Sequence, residues 1–75
     1  MVMEGKTAMR YDWTFHCYAE GNYWECSIVN EDGKPKRISS EQSFPNRGEA
    51  IRDAKHNGLD AKSDAHIVVF KRYTT

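Results

Sequence analysis

Two stretches of strict alternation dominate the first half of the chain. From Tyr11 onward, Tyr11, Trp13, Phe15, Cys17 and Ala19 fall on one side, while Asp12, Thr14, His16 and Tyr18 fall on the other. Successive side chains of a strand point to opposite faces, so the pattern predicts a half-buried β-strand. A second run over residues 23–30 sets Trp24, Cys26 and Ile28 on one face and Glu25 and Ser27 on the other. How the runs pair is a question of register, because a one-residue slip would turn a whole apolar set to solvent. A two-residue turn at Gly21-Asn22 pairs Ala19 with Trp24, Cys17 with Cys26 and Phe15 with Ile28. All three pairs are apolar, and Gly in first position suits a type II′ turn. A three-residue loop would instead oppose Cys17 to Glu25 and mix the faces. In the second hairpin the preference reverses. A loop of Glu31-Asp32-Gly33, with Gly33 left-handed, brings Ile38 opposite Cys26, whereas a tight Asp32-Gly33 turn opposes Arg37 to Ile28. The third strand is predicted over 34–42.

The alternation then gives way to a helix with readable ends. Asn46 precedes Glu49 by three residues, the spacing of a capping box, and Phe44-Pro45 stops the helix from extending backwards. Ala50, Ile51 and Ala54 make a narrow apolar face, Gly58 supplies the left-handed stop, and Leu59 folds back as its hydrophobic partner. After a polar link over 60–64, His66-Ile67-Val68-Val69-Phe70 is rich in β-branched residues and reads as a last strand.

The predicted order is therefore β-β-β-α-β. It describes a two-layer α+β domain, an antiparallel three-stranded meander plus a C-terminal strand, with one helix on the face carrying Phe15, Cys17, Trp24, Cys26, Ile28 and Ile38. The place of the last strand, beside strand one or strand three, is left open by the pattern. One helix covers one face of such a sheet, so the other face is open to solvent or to a partner.

Length and charge narrow the functional classes. A chain of 75 residues supports one core. Residues 1–10 lack apolar periodicity and read as a flexible leader, and 11–75 form the domain. Eleven Lys and Arg balance eleven Asp and Glu, so no field of one sign draws the chain to nucleic acid or to an anionic membrane. The longest apolar run, Ile67 to Phe70, is far short of the roughly 18 residues of a membrane span, and the leader has no signal-peptide h-region. A cytoplasmic location is the expectation.

Catalytic chemistry finds little footing. Cys17 and Cys26 have no CxxC spacing and no helix N-terminus beside them, so two buried thiols are expected, although the register above also allows a strained cross-strand disulfide. His16, His56 and His66 lie on three different elements, without the spacing of a metal finger. No cofactor, no metal and no enzymatic activity are expected. The candidate interaction surface is the helix-free face, with Thr14, His16, Tyr18, Tyr23 and Arg37. Its expected occupant is another protein chain or a second copy, since an open sheet leaves an uncovered face and unpaired edges. Single-stranded nucleic acid, stacking on the tyrosines beside nearby cations, is the alternative. Asp12, Glu20 and Glu25 on the same hairpin oppose it.

The hairpin aromatics in DWTFHCYAEGNYWECSIVNEDGKP, followed by SFPNRGEAIRDAKHNGL and a short terminal strand, resemble small uncharacterised bacterial β-β-β-α-β domains, including the YegP-like group. The same order, with its GEAIRDA helix, is also similar to the N-terminal domain of HicB-type antitoxins. The resemblance covers about residues 11–73 and implies the fold. It carries no catalytic residues over to this chain.

Overall fold

The computed structural model describes residues 9–30 and 34–74, so most of the predicted leader and the loop Glu31-Asp32-Gly33 lie outside the described residues. The elements are β1 (Arg10–Tyr18), β2 (Gly21–Val29), β3 (Lys36–Ser39), α1 (Arg47–His56) and β4 (His66–Arg72), the predicted order. They form one four-stranded mixed sheet, ordered β3-β2-β1-β4, with α1 packed over β1 and β2. The last strand lies beside β1 and runs parallel to it. β1 opens at Arg10, inside the stretch read as leader, and β3 is shorter than the predicted 34–42.

The second hairpin has the predicted register, with Cys26 opposite Ile38. The first does not. Its turn is Ala19-Glu20, and the strands pair Tyr18 with Gly21, Cys17 with Asn22, Phe15 with Trp24, Trp13 with Cys26 and Tyr11 with Ile28. The predicted pairs Ala19–Trp24, Cys17–Cys26 and Phe15–Ile28 are thus displaced by four residues of one strand. An even displacement keeps every side chain on its predicted face, which is why face patterning alone could not detect it. What selects the observed register is size. It sets Trp13 against Cys26, where the predicted one would set it against Asn30, and both tryptophans reach the interior.

Gly21 is not the turn residue either. It opens β2 where the segment ahead of the helix crosses, and a Cβ there would lie 2.8 Å from Ser43 Oγ. Asn22 and Phe44 exchange backbone bonds of 2.8 and 2.6 Å across the same crossing. Glycine is needed for close approach, not for a left-handed turn.

The core comprises Trp13, Phe15, Trp24, Cys26, Ala50, Ala54 and Leu59, flanked by Tyr11, Ile28, Ile38, Phe44 and Ile51. Cys17, predicted in the core, is only half-buried, because it sits at the sheet end beyond the helix. Each tryptophan keeps its polar edge satisfied. Trp24 Nε1 donates to Asp53 Oδ2 at 2.8 Å, and Trp13 Nε1 donates to His66 Nδ1 at 3.0 Å. The amide of Asp60 also donates to that nitrogen, so the His66 proton sits on Nε2.

The helix ends are as predicted. Asn46 Oδ1 accepts the Glu49 amide at 3.0 Å. Gly58 has φ 114°, the Leu59 amide bonds Ala54 O at 3.0 Å and the Gly58 amide bonds Lys55 O at 3.3 Å, a Schellman stop that returns Leu59 to the core.

Candidate interaction surface

The face away from α1 is built by the even-numbered positions of β1. Thr14 lies between Glu25 of β2 and Val69 of β4, and His16 lies between Tyr23 and Lys71. At the hairpin end these side chains close into a cluster. Tyr18 stacks on Tyr73 at 4.3 Å and on Tyr23 at 6.1 Å, and His16 stacks on Tyr23 at 4.6 Å. His16 is 9% exposed and is held at both ring nitrogens, Nε2 to Glu25 Oε1 and Nδ1 to the Tyr73 hydroxyl, each at 2.7 Å. A carboxylate only accepts, so Nε2 carries a proton, and in the neutral ring Nδ1 accepts from the tyrosine hydroxyl.

Burial, and then the neighbouring Tyr18 hydroxyl, raise the phenols of Tyr23 and Tyr73 above their usual value of 10.0. Those two phenols are therefore neutral at physiological pH. Glu25, which in sequence counts only as an opposing charge, is the anchor of the buried histidine.

Four of the predicted surface residues, Thr14, His16, Tyr18 and Tyr23, come together. Arg37 does not join them. It shares their face, but it stands opposite Ser27 on exposed β3, four positions along β2 from Tyr23, or about 13 Å. Tyr73 was missed by sequence reasoning, although it continues the alternation of Ile67, Val69 and Lys71 past the end of β4.

The larger omission is β4 itself. It is an edge strand, and Ile67, Val68, Val69 and Phe70 are 46%, 36%, 45% and 45% exposed. Ile67 and Val69 lie on the helix-free face, while Val68 and Phe70 lie on the helix side but beyond α1, where only Arg47 reaches over the Phe70 ring. The opposite edge, β3, is short and carries exposed Lys36 and Arg37, the usual protection of a sheet edge. β4 has seven residues and an apolar centre, with basic residues only at its ends.

The thiols are not paired. Cys17 faces Asn22 and Arg72, and Cys26 faces Trp13 and Ile38, so the disulfide that the predicted register allowed has no geometry here. Burial pushes the Cys26 thiol up to about 11. Among the described residues, no group of three or more His, Cys, Asp or Glu is placed to hold a metal ion, and no helix is long and apolar enough to cross a membrane.

Comparison with known protein families, with curated proteins and with solved structures finds no match to this chain. The fold and the surface therefore carry the functional reading by themselves.

Proposed function

We propose that this domain is a non-catalytic protein-binding module that takes up an extended segment of another chain, its own copy included, along the outer edge of β4. The observation that carries the reading is the coincidence of a free edge with four consecutive exposed apolar side chains. An added strand would satisfy the outward backbone groups and cover apolar surface on both faces at once. The YegP-like resemblance is compatible with such a role but adds nothing to it. Unpaired Cys17 and Cys26 suit the reducing cytoplasm, where we place this activity.

The helix-free face supports the same reading better than nucleic-acid binding. Its tyrosine rings already stack on one another, and its central histidine is committed to Glu25 and Tyr73. Free ring faces beside cations are what single strands require; Lys71 stands beside His16 on this face, but the rings are committed to one another and Arg37 stands apart from the cluster.

The test is an NMR titration of the dilute chain, in parallel, with a short peptide of alternating Val, Thr and Lys and with mixed single-stranded oligonucleotides at low and high salt. Peptide binding that shifts the amides of Val68, Phe70 and Arg72 is expected. Oligonucleotide binding that weakens steeply with salt and disappears in Tyr18→Ala would overturn the reading.

A further inference from the structure

On the helix side, the C-terminal half of β4 borders a cleft of about 440 Å³ lined by Cys17, Asn22, Arg47, Phe70 and Arg72. The sheet brings these side chains together, because Cys17 of β1 stands opposite Asn22 on β2 and opposite Arg72 on β4. The helix opens with Arg47, whose Cζ lies 5.0 Å from the centroid of the Phe70 ring and is held over it by cation–π attraction. Two guanidinium groups thus share one cleft whose walls carry no acid. Neither arginine is in an ion pair or a side-chain hydrogen bond among the described residues. Glu49, the carboxylate nearest to Arg47 along the chain, is turned to Asn46 Nδ2 at 3.4 Å. The inner wall adds a neutral donor. Asn22 is 8% exposed, and its Nδ2 donates to Phe44 O at 3.3 Å, which leaves the second amide hydrogen without a partner.

The cleft also adjoins the free edge. The Tyr11 amide bonds Ala65 O at 2.8 Å, and the Tyr73 amide bonds Cys17 O at 2.9 Å. The N–H and C=O of one strand residue point to the same side and alternate along the strand. Ile67, Val69 and Lys71 therefore turn their backbone groups toward β1, while Val68, Phe70 and Arg72 turn theirs outward. Directly opposed side chains on neighbouring strands share a face and stand about 5 Å apart. A residue opposed to Phe70 or Arg72 on an added strand thus sends its side chain to the helix side, at the mouth of the cleft.

Resting on the edge reading above, we infer that the segment taken up along β4 is acidic, and that one of its Asp or Glu carboxylates enters this cleft and is held by Arg47 and Arg72. Guanidinium forks match a carboxylate in shape and charge, and such charge-assisted bonds are stronger than neutral ones. A basic segment would instead bring a third cation to two that have no counter-charge.

An NMR titration tests the inference with two peptides of equal length, the Val, Thr and Lys peptide above and one with Glu at every Lys position. Each is added to the full chain and to its Arg47→Gln, Arg72→Gln and Lys71→Gln variants, the fold of each checked by tryptophan fluorescence. Both peptides should shift the amides of Val68, Phe70 and Arg72, and the acidic one is expected to bind about tenfold tighter. Arg47→Gln and Arg72→Gln should each remove most of that preference, whereas Lys71→Gln, on the helix-free face, should leave it. Equal affinity for the two peptides, or a preference that Lys71→Gln reduces as much as Arg47→Gln does, would overturn the inference while the shared amide shifts left the edge reading standing. Inorganic phosphate that binds the same arginines as tightly as the acidic peptide would overturn the assignment of the anion to a peptide side chain. If neither peptide shifts those amides, the edge reading fails and the inference with it.

Discussion

At the scale of single residues, the structure depends on side chains that serve packing and hydrogen bonding together. Trp24 is 2% exposed and bonds Asp53 of the helix, so it ties β2 to α1 by area and by a charge-assisted contact. Trp24→Ala is expected to cost about 3–5 kcal/mol in denaturant unfolding, a large share of what a chain this size possesses. Trp24→Phe keeps most of the packing and isolates the hydrogen bond, at about 1.5–3 kcal/mol. An undiminished Trp24→Ala variant would mean that the indole is not in the core.

Cys26 makes a second residue-scale prediction, in pH. Its unfolded thiol ionises near the ordinary value of 9.0, whereas the folded thiol keeps its proton to about 11 because ionising it would bury a charge. The contribution to stability is full below pH 9.0 and is lost as pH rises through about 11. Tyr23 and Tyr73, both raised from 10.0, act in the same direction. Denaturant midpoints should therefore fall through this window, and Cys26→Ala should flatten the fall while lowering the midpoint at neutral pH.

At the scale of elements, the helix is held by its ends. Asn46→Ala removes the acceptor of the Glu49 amide and should cost about 1 kcal/mol. Gly58→Ala meets no atom within 4 Å but forces a side chain onto φ 114°, so it should cost about 1–2 kcal/mol through conformation alone. Thermal melts followed by circular dichroism read both. These ends were legible in the sequence because caps are local: Asn46, Glu49, Gly58 and Leu59 lie within a few residues of the groups they satisfy. The faces of β1 and β2 were legible for the same reason, since alternation needs no knowledge of the partner strand. Their register was not, because a displacement by four residues preserves every face and only the volumes of Trp13 and Trp24 decide between the alternatives. Gly21 misled for a related reason. A glycine before an asparagine reads as a turn, and the close passage of Ser43 comes from a segment more than twenty residues away. Tyr73 and the exposure of Ile67 to Phe70 depend on which strand β4 joins, a long-range fact that its own composition does not hold.

At the scale of the molecule, the two sheet edges differ in kind. β3 is short and charged, whereas β4 offers seven residues with an apolar centre and a row of outward backbone groups. The helix packs over β1 and β2 and leaves Ile67 to Phe70 of β4 exposed, and it is on this exposure that the proposed edge pairing rests. Amide hydrogen exchange of the dilute chain, with and without the acidic peptide, tests this pairing most directly. In the free chain the amides of Ile67, Val69, Lys71 and Tyr73, which face β1, should be protected, while those of Val68, Phe70 and Arg72 exchange freely. With the peptide in excess, the second set should become protected as the added strand pairs. Outward amides that exchange as freely with the peptide as without it would contradict pairing at this edge, and the loss of the alternation itself would contradict the placement of β4 beside β1.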